Sequence, residues 1–348
     1  MKKMVKGWVH TPGIHCGSVA IRDVMAYWGF DLSEAMCFGL GSGMGFFYIV
    51  TADFSPTRMI FMRGPGMEHI FFNLLGKNTR WKYADDPEEA LNTSKQHIDN
   101  NIPILIQSDI FHLDYYDSST HFPGHVIGLW GYDDETEMFY VSDTGFEELQ
   151  TVSYENLKRA RTSDTPQFPL KNNWFEVDLR HPIPPLPEVI PEAVRTNARM
   201  MLEGASSPRG TSSVEQIKLW SEDLPGWPEA LDWKWCARFG YQVIVKRGVD
   251  GAGFRRMYRD FLREAEEIVP ELKTLKLSQK MDAIGAGWVK AAGVLKQISE
   301  GDTPDTKLLK KASSLSRELW EMEGEYYSTA LEKVTGGLSR SISEGGSA

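Results

Sequence analysis

Cys16, in the stretch GIHCGSVAIRDVMAYWGF, is the residue whose type and position best suit covalent chemistry. Apolar residues from Ala20 to Trp28 recur at the spacing of one helical face, which predicts a helix beginning at or near Cys16. The free N–H groups and the positive dipole end of such a helix stabilise a thiolate, lowering the thiol pKa from about 8.5. The alternative, a buried structural thiol, fits Cys37 and Cys236 better, because both lie inside apolar stretches.

A nucleophilic cysteine needs a base and a group that orients the base. His125 opens the apolar stretch HVIGLWGYDD, and Asp143 follows EMFYVS, two segments that predict an antiparallel hairpin. The end of the second strand then lies beside the start of the first. Taken singly, His125 also reads as an ordinary polar residue and Asp143 as part of a turn. Together with Cys16 they predict a Cys–His–Asp triad in which Asp143 accepts from the ring nitrogen facing away from the sulfur.

Acyl chemistry also requires donors for an oxyanion. The backbone N–H of Cys16 is one candidate. His10 lies six residues before Cys16, where papain-like enzymes commonly carry a glutamine, so its side chain is predicted to be the second donor. The rival candidate is His15, which is adjacent to the nucleophile and able to tune it.

The glycine-rich run FGLGSGMGFF fits neither nucleotide-binding pattern, because Met44 and Phe46 occupy positions where the dinucleotide fingerprint requires glycine. Its glycines are instead expected to allow tight turns or to form an open wall beside the substrate. Gly41, Gly43 and Phe46 are therefore the predicted substrate-binding residues.

Zinc is a weaker possibility for the histidines near Cys16. A set of His10, His15, Cys16, His121 and His125 lacks an accompanying C-x-x-C or H-E-x-x-H motif. The spacing from His121 to His125 is interrupted by Pro-Gly, which prevents a shared helical face. No metal ligand is predicted.

The composition bounds the class of protein. Of the 348 residues, 41% are hydrophobic and three are cysteines, and the net charge is -10. Most of the negative charge lies in residues 1–180, which carry 24 acidic and 15 basic side chains. This charge disfavours nucleic acids and anionic membranes as partners. The sparse cysteines, and the lack of an apolar signal or membrane-spanning run, predict a cytoplasmic protein.

A proline-rich seam, HPIPPLPEVIP, divides the chain. Residues 1–181 mix strand and helix patterns, 182–191 are predicted to be an extended linker, 192–335 a helical domain, and 336–348 a disordered tail. The strands expected before the seam lie in FFYIV, RMIFM, IPILIQSDI, HVIGLWGYDD, EMFYVSD and WFEVDLR. After it, Ser212 and Glu215 suggest a capping box for VEQIKLWSEDL, and long helices are expected near 273–300 and 305–334.

The segment HTPGIHCGSVAIRDVMAYWGFDLSEAMCFGLGSGMGFFY resembles the N-terminal domain of the butirosin-biosynthesis protein H family. GHVIGLWGYDD and YVSDTG are similar to later segments of that domain. SVEQIKLWSEDLPGW and GVDGAGFRRMYRDFLREAEEI resemble the helical domain of unknown function that commonly follows it.

The resemblance implies an α/β (α+β) papain-like cysteine-enzyme domain followed by an all-α domain. It implies an acyltransferase that moves an acyl or aminoacyl group from an acyl carrier protein, or another acyl thioester, to an amine of a small-molecule acceptor. Cys16 is then the nucleophile, His125 the base and Asp143 the orienting acid. The protein would need no cofactor of its own, since the phosphopantetheine belongs to the donor.

Two alternatives remain open at this stage. A cysteine peptidase or amidase would use the same triad with water as the acceptor. A non-catalytic binding protein would keep the fold without the chemistry. The sequence does not identify the acyl group, the acceptor or the oligomeric state.

Overall fold

A computed structural model describes residues 1–165, 168–180, 182–208, 210–247 and 251–335. The predicted disordered tail, 336–348, lies outside these residues. No helix within the described ranges is long and apolar enough to cross a membrane.

Ten strands are present in the described chain, most of them short. In order they are β1 (Lys2–Met4), β2 (Met44–Val50), β3 (Arg58–Arg63), β4 (Ile104–Ser108), β5 (His125–Asp133), β6 (Met138–Ser142), β7 (Gln150–Ser153), β8 (Trp174–Glu176), β9 (Ala205–Ser207) and β10 (Gly210–Ser212).

Eleven α-helices accompany them in the same ranges. They are α1 (Cys16–Tyr27), α2 (Glu34–Leu40), α3 (Met67–Leu74), α4 (Pro87–Asp99), α5 (Tyr154–Arg161), α6 (Leu186–Glu203), α7 (Val214–Asp223), α8 (Trp233–Gln242), α9 (Arg255–Ile268), α10 (Leu277–Glu300) and α11 (Thr306–Lys333). The α/β pattern before the seam and the helical pattern after it are therefore confirmed.

The described residues form two compact units whose sequence ranges interleave. The first comprises the described parts of Met1–Gly41, Gly66–Ile183 and Lys246–Gly251, and the second those of Ser42–Pro65, Pro184–Val245 and Ala252–Ala348. This differs from the predicted domain of residues 1–181, because β2 and β3 belong to the second unit.

The first unit is built on a six-stranded antiparallel sheet with the order β7-β6-β5-β4-β8, and β1 also pairs with β5. Strand β5 is buried along nearly its whole length, which explains its run of apolar residues. In the hairpin of β5 and β6, Gly128 pairs with Ser142. This register carries the end of β6 back toward the start of β5, as the sequence predicted.

The second unit packs six helices with the hairpin of β2 and β3. Phe46 of β2 lies in its core against Trp220 and Trp288, at ring-centroid distances of 5.7 and 5.4 Å. A fully buried ion pair, Arg255 with Glu323, also lies in this unit.

Two predicted local features are wrong. The linker 182–191 is extended only at its start, because α6 begins at Leu186, with Pro187 near its first turn and Pro191 inside it. Proline suits a helix start because its fixed φ is already helical and its missing N–H is not needed there. The capping box at Ser212 does not form, since Ser213 precedes α7 and the Ser212 hydroxyl accepts from the Phe46 N–H instead.

Candidate active site

Cys16 is the first residue of α1, and the side chain of His15 caps the helix. The Ser18 N–H donates to His15 Nδ1 at 3.2 Å. Cys16 and His15 are both buried, and Cys16 is 8% exposed. Because the first four N–H groups of a helix have no carbonyl partner within it, the Cys16 amide belongs to the end where negative charge is stabilised.

The loop before Cys16 is held by a carboxylate that the sequence analysis did not single out. Glu34, at the start of α2, accepts from the N–H of Ile14 at 3.0 Å and from that of His15 at 2.7 Å. It also accepts from the Ser18 hydroxyl at 3.0 Å. Glu34 therefore fixes the entry of α1 on both sides of Cys16. Its position after Ser33 looks like an ordinary helix start, so nothing in the sequence separated it from other acids.

The structure brings Cys16, His125 and Asp143 together. His125 Nε2 lies 2.8 Å from both carboxylate oxygens of Asp143. The same imidazole also interacts with Cys16 through a side-chain hydrogen bond and through charge. His125 and Asp143 are 6% and 2% exposed, so bulk water does not compete strongly for this chain of contacts.

Electrostatics favour the charged form of His125. Burial opposes the imidazolium, but the charge and hydrogen bond of Asp143, followed by the contacts with Cys16, raise the pKa of His125 to about 10. At neutral pH the ring is therefore protonated. An imidazolium beside a sulfur at a helix start is the environment that stabilises a thiolate.

Two adjacent tyrosines complete the surroundings of Asp143. The Tyr115 hydroxyl donates to one carboxylate oxygen at 2.7 Å, and the Tyr116 hydroxyl to the other at 3.3 Å. The Thr144 N–H donates at 2.6 Å. Burial and then the Asp143 charge raise the pKa of both tyrosines, so they remain neutral donors. The Tyr116 ring also meets His125 edge to face, with centroids 5.5 Å apart.

These tyrosines lie in the loop LDYYDSST, whose conformation sequence periodicity does not reveal. A pair of tyrosines in a polar stretch carries no signal for a particular partner. Their role follows only from the way the loop returns to the end of β6.

Family comparisons match both parts of the chain. Residues 15–144 match the family model described as butirosin biosynthesis protein H, N-terminal, and residues 155–330 match a domain of unknown function (DUF4872). The chain belongs to the butirosin biosynthesis protein H family. The first match begins at His15 and ends at Thr144, so it encloses Cys16, His125 and Asp143. No curated protein sequence matches the chain.

In this member of the butirosin biosynthesis protein H family, His10 does not fit the predicted role of oxyanion donor. Its Nδ1 is hydrogen-bonded to the Asp23 carboxylate, and its Nε2 lies 2.7 Å from the carbonyl oxygen of Phe146. Both ring nitrogens are thus committed to protein partners. Burial lowers the pKa of His10, but Asp23 and the Phe146 carbonyl outweigh it and the net pKa is raised.

His10 is better described as a clamp between two loops. It joins the segment before Cys16 to the turn after Asp143, and the Gly13 N–H reinforces this link by donating to the Thr144 carbonyl at 2.9 Å. The rival candidate, His15, uses Nδ1 as an acceptor for the helix cap. It supports the position of Cys16 in that way.

The predicted substrate wall is wrong for Phe46, whose side chain is 0% exposed in the core of the second unit. Gly41 and Gly43 are buried as well. A Cβ on Gly41 would lie 2.5 Å from Met67 Cγ, and the Gly43 carbonyl accepts from the Gly64 N–H at 2.9 Å. These glycines serve close packing and turns, the other role expected of them.

Gly17 makes a similar close approach beside Cys16. A Cβ at this position would lie 2.7 Å from Glu68 Oε1 and equally close to Met67 Cε. Glycine next to Cys16 therefore lets the first turn of α3 pack directly against the start of α1. A larger residue would displace the ends of the Glu68 and Met67 side chains beside the start of α1.

Proposed function

We propose that this chain is a cysteine-dependent acyltransferase of papain-like fold. It would take an acyl or aminoacyl group from a carrier-protein thioester, or another acyl thioester, and transfer it to an amine of a small-molecule acceptor. The observation that carries the proposal is the hydrogen-bonded series Cys16, His125 and Asp143 at the start of a helix. Membership in a family described by its part in butirosin biosynthesis supports a biosynthetic role.

The first half-reaction forms an acyl-enzyme. The Cys16 thiolate attacks the thioester carbonyl, and the backbone N–H of Cys16, at the start of α1, would donate to the oxyanion. As the tetrahedral intermediate collapses, the bond from carbon to the donor sulfur breaks and the His125 imidazolium gives its proton to the departing thiol. The acyl group is then held on Cys16 as a new thioester, and His125 is neutral.

The second half-reaction forms the amide. The acceptor amine attacks the acyl carbon while His125 removes a proton from its nitrogen. The bond to the Cys16 sulfur breaks, and the thiolate and imidazolium are restored. Exchange between two thioesters is nearly balanced in energy, whereas amide formation drives the sequence forward. Asp143 keeps one His125 nitrogen oriented throughout, which leaves the other to face the sulfur.

The acidic front segment suits a cationic acceptor. Residues 1–180 carry 24 acidic and 15 basic side chains, so the local field attracts polyamines and aminoglycosides. The expected result is a second-order rate constant for the amine that falls as salt is added. Equal rates at low and high ionic strength would contradict electrostatic steering but not the acyl-transfer step.

The test is intact-mass spectrometry after mixing the protein with an aminoacyl N-acetylcysteamine thioester, a mimic of the phosphopantetheine arm. The wild-type chain should gain one acyl group, and Cys16→Ala should gain none. Cys37→Ala is the matched control, since Cys37 is also a buried cysteine outside any disulfide in the first unit, and it should keep the adduct.

Adding an amine acceptor then separates the candidate activities. Transfer predicts that the adduct disappears in step with a new amide. Release of the free acid at a rate independent of the amine would identify a hydrolase. No adduct on wild type, or an undiminished one on Cys16→Ala, would overturn covalent catalysis altogether.

A further inference from the structure

A second cluster of titratable side chains lies in the first unit, outside the series around Cys16. Asp109, His112 and His121 each offer a ligand atom, and these atoms lie within 4.8 Å of one another. Among the described residues this is the one group of His, Cys, Asp and Glu with such spacing. It shares only His121 with the zinc set considered from the sequence.

The carboxylate of this cluster is rigidly built into the protein. Asp109 is 0% exposed and accepts from the Ser163 hydroxyl at 2.7 Å and from the Phe122 N–H at 2.8 Å. It also caps the short turn Ile110–His112 through the Phe111 N–H. Such outer hydrogen bonds orient a carboxylate in the way that surrounding residues orient metal ligands in known sites.

The two imidazoles are accessible and adjustable. His121 Nδ1 lies 2.7 Å from Asp109 Oδ2 while the side chain remains 46% exposed. The His112 and His121 ring centroids are 5.9 Å apart. His112 also lines an open cavity of about 320 Å³. Because the His121 side chain is exposed, an ion and its bound water can reach the cluster from solvent on that side.

We propose that Asp109, His112 and His121 bind a divalent transition-metal ion, for which Zn²⁺ is the natural probe. Two imidazoles and one carboxylate, with a water in the remaining position, form a donor set that Zn²⁺ accepts. Bonds of about 2.1 Å place tetrahedral ligand atoms roughly 3.4 Å apart, so modest rotation of the exposed rings closes the set. The ion takes the place of the hydrogen between His121 Nδ1 and Asp109 Oδ2, and in the neutral imidazole that hydrogen moves to Nε2.

Metal binding would also stiffen the loop that contacts the acid of the triad. The ligands lie at both ends of the segment 109–121, which contains Tyr115 and Tyr116, the two donors to Asp143. The ion would thus act as a structural staple for these tyrosines. This consequence rests on the proposed function, whereas binding of the ion does not.

The experiment is isothermal titration of tag-free, metal-depleted protein with Zn²⁺ in a Cys16→Ser background, which removes the active-site thiol as a competing ligand. The expected result is one Zn²⁺ per chain with a Kd in the micromolar range or tighter. His112→Asn and His121→Asn should each weaken binding by about tenfold or more. Mg²⁺ should not compete, because it prefers oxygen ligands.

His97→Asn is the matched control. His97 is also a partly exposed imidazole, with Nε2 3.3 Å from a Glu176 carboxylate oxygen, but it is outside the cluster. It should bind Zn²⁺ like the parent. Co²⁺ added to the parent should give visible absorption typical of nitrogen and oxygen ligands without a thiolate charge-transfer band. Absence of stoichiometric binding, or unchanged affinity in both cluster variants, would overturn the proposal.

Discussion

Replacing Asp143 with Asn keeps the size of the side chain and removes the charge that faces His125. In the native site that charge is the largest contribution opposing the cost of burial. Without it, burial continues to disfavour the imidazolium, so the pKa of His125 should return toward its ordinary value near 6.5. The thiolate of Cys16 then loses its cationic partner.

The size of the effect follows from the pKa of His125, which is raised from 6.5 to about 10. At roughly 1.4 kcal/mol for each factor of ten, this corresponds to about 5 kcal/mol favouring the charged ring. Asp143 raises the pKa of His125 more than Cys16 does, so at least half of this stabilisation is assigned to Asp143. A loss of about 2–3 kcal/mol corresponds to acyl transfer that is roughly 50-fold slower or more.

The assay is the rate of Cys16 alkylation by iodoacetamide between about pH 5 and about pH 10, followed by intact mass. Wild-type Cys16 should react across most of this range. In Asp143→Asn the reactivity should retreat toward the ordinary thiol pKa near 8.5. Asp134→Asn, at an exposed carboxylate paired with Lys95, should behave like wild type. Identical pH profiles for wild type and a folded Asp143→Asn would refute the electrostatic reasoning.

The same substitution has a signature in stability. Because the pKa of His125 is raised on folding, its contribution is fully present below about pH 6.5 and is lost as the pH rises through about 10. The difference in Tm between wild type and Asp143→Asn should therefore narrow over that window. A constant difference would indicate that Asp143 acts only by packing and neutral hydrogen bonds.

Three further substitutions test the surroundings of the site. Tyr115→Phe removes the 2.7 Å donor to Asp143, so kcat should fall several-fold with little change in KM, whereas Tyr154→Phe should leave kcat unchanged. His10→Ala removes the imidazole partner of the buried Asp23 carboxylate, so it should lower the free energy of unfolding by about 2–4 kcal/mol in chemical denaturation. Unchanged stability together with lost activity would support His10 as the oxyanion donor after all. Phe46→Ala should lower the free energy of unfolding by about 3–5 kcal/mol, because it leaves a cavity beside Trp288 in the core. A raised KM with an unchanged free energy of unfolding would instead indicate that Phe46 contacts substrate.

The grouping of Cys16, His125 and Asp143 could be predicted because each residue is positioned by a local pattern. The period of the residues after Cys16 fixes where α1 begins, and the register of β5 with β6 carries Asp143 toward His125. These constraints act over a few residues of helix or one hairpin. They require no knowledge of how distant segments meet.

The remaining features depend on long-range packing. Phe46 is buried by Trp220 and Trp288, far away in sequence, so its glycine-rich context misleadingly suggested an exposed wall. The imidazole of His10 was assigned by its distance from Cys16, but Asp23 and the carbonyl of Phe146 engage it instead. The type of a polar residue determines which hydrogen bonds its side chain can make, but the tertiary structure determines which partner it contacts.

The position of β2 and β3 in the second unit has a practical consequence for dissecting this protein. A chain cut at the proline-rich seam would keep the hairpin but lose the two tryptophans that cover Phe46. The fragment would expose aromatic surface and tend to aggregate, while the complementary piece would leave the stacked indoles of Trp220 and Trp288 without Phe46 beside them. Neither half is an independent module, so complementation by co-expression of both pieces is a better route than isolated truncation.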